Sequence, residues 1–269
     1  MCDIQRLDKS MKVNKERLEK IQPMRFSYPT ENGQELFYYA FFPSIEPKGC
    51  VICIHGGGWT SDSAKRLFPQ AAYFAEQGAV GVSIEYRLNS ETTDVRNGLH
   101  DCVSAVKAIR KMLFERYGKE MPIVSFGDSA GGYYAVCLGN QEIVKRIEEN
   151  MPIVDFVVDL NGVVDLTGKW SYGLSSKTQE DLQGYSPLFN VSAGDAPTLI
   201  MHGDQDKTVD LEDAKRYSEA LQKKGVSHDL KILAGAAHAF ILFDYRHDNT
   251  FVGDTLCWIC QYLKQKELI

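Results

Sequence analysis

Apolar positions along the chain follow two periods. Met24–Tyr28 and Glu35–Phe42 are strand-like and flank Asn32-Gly33, a pair that favours a hairpin turn. Cys50–His55, Ala79–Tyr86, Pro122–Phe126, Ile153–Leu160 and Thr198–His202 are short, nearly continuous apolar runs, and His228–Leu233 is a further short one. Such runs suit strands buried on both faces of a parallel sheet. Between them the period lengthens. Val95–Tyr117 places Leu99, Cys102, Val103, Val106, Ile109 and Leu113 at spacings of three and four, which predicts a long helix ended by Gly118. Leu67–Gln77 carries Pro69 in its first turn and Gly78 past its end. Helices are also predicted for Ala130 to about Gly139, for Leu211–Lys224 (Asp210 before it, Gly225 after it) and for Asp248–Leu263. Strands alternating with helices predict an α/β protein whose mostly parallel sheet is covered on both faces.

The same pass divides the chain. Residues 1–22 are charged and read as a helical or loose N-terminal arm, and residues 23–269 as a single α/β domain. Residues 162–197 are mixed and rich in Gly and Ser, and read as a small cap or loop wall, since a stretch this long inside a compact domain is usually functional. There is no internal repeat.

Composition narrows the function. The chain has 269 residues, 44% of them hydrophobic, and a formal net charge of −6. An acidic balance argues against a nucleic-acid partner, which calls for a basic face. No run of about 18 apolar residues predicts a membrane span. Seven cysteines, an odd number scattered through apparent core segments, fit a reducing compartment better than a disulfide framework. The first twenty residues lack an apolar signal segment, so a cytoplasmic location is expected. The alternative is a trimmed bacterial lipoprotein or secreted protein in which Cys2 is the lipidated residue. Cys50 and Cys53 suggest a metal-binding pair, but residues three apart on a strand point to opposite faces and cannot share an ion.

The chemistry gathers at strand ends. Gly127-Asp128-Ser129-Ala130-Gly131 matches G-x-S-x-G between a predicted strand and a predicted helix, the context the motif requires. A sharp turn there lifts a serine clear of the sheet, and the helix start offers N–H groups to developing negative charge. His55-Gly56-Gly57-Gly58-Trp59 resembles the HGGG-type oxyanion loop of lipases and esterases. The N–H groups of Gly57, Gly58 and Ala130 are the expected oxyanion hole, with His55 supporting the loop. A serine nucleophile needs a base, and the base an orienting acid. After a G-x-S-x-G serine the acid comes next in the chain and then the histidine. That order points to the run from His202 to Val209, with Asp206 as the preferred acid, and to His238, in Gly235-Ala236-Ala237-His238-Ala239-Phe240. Asp204 is the nearest rival acid, with bracing its turn as the structural alternative. Asp210 fits a helix cap. His202 reads as loop support, His100 precedes the nucleophile, and His228 and His247 lack a motif. Trp59, Asp128, Trp170, Tyr172, Tyr185 and Phe189 are candidate pocket residues, the aromatic ones equally suited to packing the cap on the core.

On these motifs, together with Glu85-Tyr86-Arg87-Leu88 and the final His-Ala-Phe, the chain resembles the esterase/lipase branch of the α/β-hydrolases over roughly residues 24–265. It is most similar to the acetyl-esterase and feruloyl-esterase-like enzymes related to the hormone-sensitive-lipase group. That group has an Asp-Pro-Leu pattern at the acid, whereas His202-Gly203-Asp204-Gln205-Asp206-Lys207 looks like the dienelactone-hydrolase and prolyl-peptidase-like branch. Asn89-Ser90-Glu91 also departs from the common Ala-Pro-Glu.

The resemblance implies a carboxylesterase acting on short acyl esters of small alcohols or carbohydrates, acetyl groups on sugars among them, without a metal or organic cofactor. Two other readings stay open. An arylformamidase or other amide hydrolase would use the same machinery, and a non-catalytic binding protein could share the fold.

Overall fold

The computed structural model describes residues 13–245 and 249–269; Cys2, His247 and the predicted helix start at Asp248 lie outside them. An eight-stranded sheet runs through the molecule in the order β1-β2-β4-β3-β5-β6-β7-β8. The strands are β1 (Met24–Pro29), β2 (Glu35–Phe41), β3 (Cys50–Ile54), β4 (Val80–Ile84), β5 (Ile123–Asp128), β6 (Phe156–Leu160), β7 (Thr198–Gly203) and β8 (His228–Leu233). β1 and β2 form the expected hairpin, with Gly33 left-handed in its turn. β2 also joins β4 antiparallel, and all pairs from β4 to β8 are parallel. With helices on both faces, this is the α/β-hydrolase fold.

The helices are α1 (Lys15–Leu18), α2 (Phe68–Glu76), α3 (Val95–Tyr117), α4 (Ala130–Gly139), α5 (Gln141–Ile147), α6 (Gln179–Gly184), α7 (Leu211–Lys224) and α8 (Val252–Gln265). α2 and α8 cover one face of the sheet, and α3, α4 and α7 the other. Side chains alternate between the two cores. On β3, Cys50, Ile52 and Ile54 join one and Val51 and Cys53 the other, so the two cysteines do stand on opposite faces. Burying each such aliphatic side chain contributes about 1.5–3 kcal/mol, which makes the central strands the stable base for the loops above them.

Caps set the helix limits. Asp94 accepts the Arg96 N–H at 2.9 Å at the start of α3, and its backbone N–H is met by the Asn97 side chain at 2.9 Å. Asp210 caps α7 through the N–H of Glu212 at 3.0 Å. Several boundaries differ from the sequence expectation. The helix expected from Leu67 begins as a 3-10 turn over Ala64–Leu67 before α2, and the last helix runs to Gln265 instead of stopping at Leu263. β6 starts at Phe156 rather than Ile153, and α5, a seven-residue helix capped by Asn140, is additional.

Residues 162–197 contain α6 and two 3-10 turns, Ser171–Gly173 and Pro187–Phe189. The segment is tied down at several points. Asn89 donates to the Gly173 carbonyl at 3.1 Å, Tyr133 to the Tyr185 carbonyl at 3.0 Å, and Lys169 to the Thr208 carbonyl at 2.6 Å.

Candidate active site

Strand register brings the chemistry to one edge. Ile54 pairs with Gly127, Asp128 with Leu160, Leu160 with Met201, and Gly203 with Leu233. The loops that follow these level strand ends hold the glycines after β3, Ser129 after β5, Asp206 after β7 and His238 after β8. In open α/β sheets, ligands bind at this carboxyl edge.

Ser129 occupies the turn between β5 and α4 with φ 54° and ψ −120°, a conformation that costs a non-glycine residue about 1–3 kcal/mol and persists only where surroundings enforce it. Its N–H is held by the Leu160 carbonyl at 3.0 Å. The first turn of α4 is pressed against the end of β3. A Cβ on Gly131 would lie 2.0 Å from the Ile54 carbonyl oxygen, so glycine is the residue that permits the approach.

Ser129, His238 and Asp206 stand in line. Ser129 Oγ is 2.9 Å from His238 Nε2, and His238 Nδ1 is 2.7 Å from Asp206 Oδ2. With Nδ1 donating to the carboxylate, Nε2 presents its lone pair to the serine hydroxyl. Asp206 is fixed through its other oxygen, which accepts the N–H groups of Thr208 at 2.8 Å and Val209 at 3.0 Å. Burial alone would raise the Asp206 carboxyl. Hydrogen bonds from His202 and His238 outweigh it and hold the group well below the ordinary carboxylate range.

The rival candidates have other partners. Asp204 accepts the Gly235 N–H at 2.8 Å and so braces the loop before His238. His202 is fully buried, and its Nε2 lies 3.1 Å from the Val209 carbonyl oxygen and 3.4 Å from Asp206 Oδ2. His100, near the start of α3, pairs with Glu31 of the β1–β2 turn, and His228 meets the Val226 carbonyl.

The loop after β3 faces Ser129. Gly57 has φ 102° and Gly58 φ 60°. Among the described residues, the N–H groups of Gly57, Gly58 and Ala130 donate to no protein acceptor. His55 is buried beneath them, stacked on Tyr86 with ring centroids 4.3 Å apart, and burial pushes its pKa down to about 4, so it is a neutral prop. The Tyr86 hydroxyl donates to the His55 carbonyl at 2.8 Å.

The structure corrects the pocket expectation for two residues. Trp59 is fully buried, its ring edge-on to Tyr133, Trp170 and Tyr172. Asp128 is buried too and accepts the Gly56 N–H at 3.2 Å, tying the glycine loop to the Ser129 turn. Burial raises its pKa to about 6, against the opposing charge of His238. Both lie beneath the site because the two loops cross too closely to leave them exposed. Tyr172 is 48% exposed, and its hydroxyl lies 3.5 Å from where a Cβ on Gly58 would stand, beside the glycine loop. Trp170 is buried against it, Tyr185 packs on the core with its carbonyl accepting the Tyr133 hydroxyl, and Phe189 is 45% exposed.

Sequence reasoning passed over Asp159 and Asn161 at the end of β6. Asp159 is buried and accepts the Gly162 N–H at 3.0 Å. The only local signal was an Asn-Gly pair directly after a buried strand.

Among the described residues no helix is long and apolar enough to cross a membrane. The fold matches that of a thermophilic esterase from Thermogutta terrifontis with propionate bound, at a TM-score of 0.79 and 27% identity over 92% of this chain and 95% of that one. Esterase LipC of Mycobacterium tuberculosis is 25% identical over 242 residues, covering 82% of this chain and 59% of the relative. Neutral cholesterol ester hydrolase 1 of Pongo abelii is 40% identical over 104 residues, 37% of this chain and 25% of the relative. The chain thus spans from a quarter to about three fifths of the length of these two curated relatives. Residues 42–221, from the end of β2 through nearly all of α7, match BD-FAE, and the chain belongs to this α/β-hydrolase esterase family.

Proposed function

We propose that this chain is a carboxylesterase that hydrolyses short-acyl esters, acetyl groups on carbohydrates among them. The observation that carries this reading is the Ser129–His238–Asp206 line, with bonds of 2.9 and 2.7 Å. His238 takes the serine proton as Ser129 attacks the ester carbonyl. The N–H groups of Gly57, Gly58 and Ala130 receive the oxyanion. His238 then passes its proton to the leaving alcohol, and a water activated by the same imidazole releases the acid. Asp206 keeps the imidazole in the reactive tautomer.

Short acyl groups are favoured by Tyr172, whose phenol limits the space above the oxyanion loop. The propionate found in the Thermogutta esterase supports the same size class. The test is a series of initial rates on p-nitrophenyl acetate, butyrate, octanoate and palmitate for wild type and Ser129→Ala, with a formamide substrate in parallel. Rates highest on acetate or butyrate that collapse in the variant support the proposal. Rates that survive Ser129→Ala, or that appear only on the formamide, overturn it.

A further inference from the structure

Strand β6 lies between the nucleophile strand and the acid strand and carries none of the three residues in line. Its end nevertheless bonds to all three of their segments. The Leu160 carbonyl accepts the Ser129 N–H at 3.0 Å. The Asn161 N–H donates to the Met201 carbonyl at 2.8 Å, on the strand that leads to Asp206. The Asn161 side-chain carbonyl accepts the N–H of Ala239 at 3.3 Å, the peptide directly after His238.

Both partners of that last bond are left-handed. Asn161 has φ 44°, which asparagine tolerates, and Ala239 φ 60°, which an alanine holds only when surroundings impose it. The turn at Asn161 is closed by Asp159, whose carboxylate accepts the Gly162 N–H. A Cβ on Gly162 would meet Asp159 Oδ1 at 2.1 Å, so the turn is packed tight. At Ala239 the Asn161 side chain meets the N–H, while the carbonyl accepts the Leu242 N–H at 3.0 Å. Asn161 is fully buried, and its Nδ2 has no acceptor among the described residues. A buried amide kept with half its hydrogen bonds unmade indicates that the bond it does make matters.

We propose that Asn161 is a positioning residue for His238. It holds the peptide after the base so that the imidazole reaches Ser129 and Asp206 together. The inference rests on the reading of His238 as base. Displacing a reacting group by a fraction of an ångström lowers turnover without weakening substrate binding.

The test uses the full chain with Asn161→Gly, which tolerates φ 44° but lacks the side-chain carbonyl, and Asn161→Asp, which keeps an acceptor. On p-nitrophenyl acetate, Asn161→Gly should lower kcat about tenfold or more, in the range that misplacement costs, with KM held within about twofold. Asn161→Asp should recover part of that loss. A kcat for Asn161→Gly within about twofold of wild type, a KM that rises in step, or an Asn161→Asp no better than Asn161→Gly overturns the proposal.

A proton NMR spectrum reads the same point independently of turnover and of whether Asn161→Asp folds. The downfield resonance of the His238 Nδ1 proton should broaden in a folded Asn161→Gly protein, and an unchanged resonance overturns the proposal. A wild type inactive on the ester would count against the proposed function, and this resonance would still decide the role of Asn161.

Discussion

His202 and His238 approach the same oxygen of Asp206, His238 through Nδ1 at 2.7 Å and His202 through Nε2 at 3.4 Å. The carboxylate therefore sits between two imidazoles, one reaching Ser129 and one sealed in the protein. His202 also contacts the Val209 carbonyl, so it ties the two ends of the acid loop together. Burial would lower its pKa, but the Asp206 carboxylate and the Val209 carbonyl reverse the direction and raise it.

That arrangement fixes a pH dependence. A raised histidine stabilises the fold fully below its unfolded pKa, about 6.5, and loses this as pH rises through the folded value. The lowered Asp206 contributes above its own unfolded pKa, about 3.9, and loses this only in strong acid. His202→Phe should therefore reduce the melting temperature most between about pH 4 and 6.5 and less at alkaline pH. Thermal melts of both proteins across pH 4–9 check this, and a deficit that grows toward alkaline pH contradicts it.

Asp206→Asn keeps the shape of the acid and removes its charge. The imidazole loses its preferred tautomer, and kcat should fall by about 10³- to 10⁴-fold. KM should stay within a few-fold, because Asp206 is set back behind His238 and does not face the ester. Steady-state kinetics on p-nitrophenyl acetate measure both.

Asp159 is buried with its pKa raised to about 7, burial outweighing the charge of His202. A carboxyl raised in the folded state stabilises most when protonated, so its contribution falls as pH climbs from about 4 toward 7. Asp159→Asn keeps an acceptor for the Gly162 N–H and removes the ionisation. The variant's melting temperature relative to wild type should rise by about 3 °C or more between pH 4 and 8. A constant difference across that range contradicts the assignment.

Tyr172 is half exposed and overhangs Gly58, so its removal should cost little stability and open the space above the oxyanion loop. Tyr172→Ala should raise the octanoate-to-acetate ratio of kcat/KM by about tenfold, the scale of a methylene or two admitted to an apolar pocket. Tyr172→Phe should leave the ratio near that of wild type.

Much of this was written locally in the chain. The apolar runs located β3 to β7, the three-and-four spacing gave α3 from Val95 to Tyr117, and Asp210 was legible as a cap because capping uses only neighbouring backbone. The glycines around Ser129 and after His55 were legible for the same reason, since a left-handed turn or a close approach selects its residue on the spot. Chain order then pointed to His238 and to the acid loop after β7, where Asp204 and Asp206 both stand. α5 was not legible, because seven residues are too few to show a helical period.

What the chain could not declare was distance. Ser129 and His238 are 109 positions apart and meet at 2.9 Å only because the sheet places β5, β6, β7 and β8 side by side with their ends level. The same stacking buried Trp59 and Asp128 and turned Asp204 toward Gly235. It also gave a shared carboxylate to His202 and a role to Asn161. Backbone conformation and caps are short-range and are set residue by residue. Burial and hydrogen bonds between loops depend on which strands become neighbours, and that was decided by packing the whole sheet between its two helical layers.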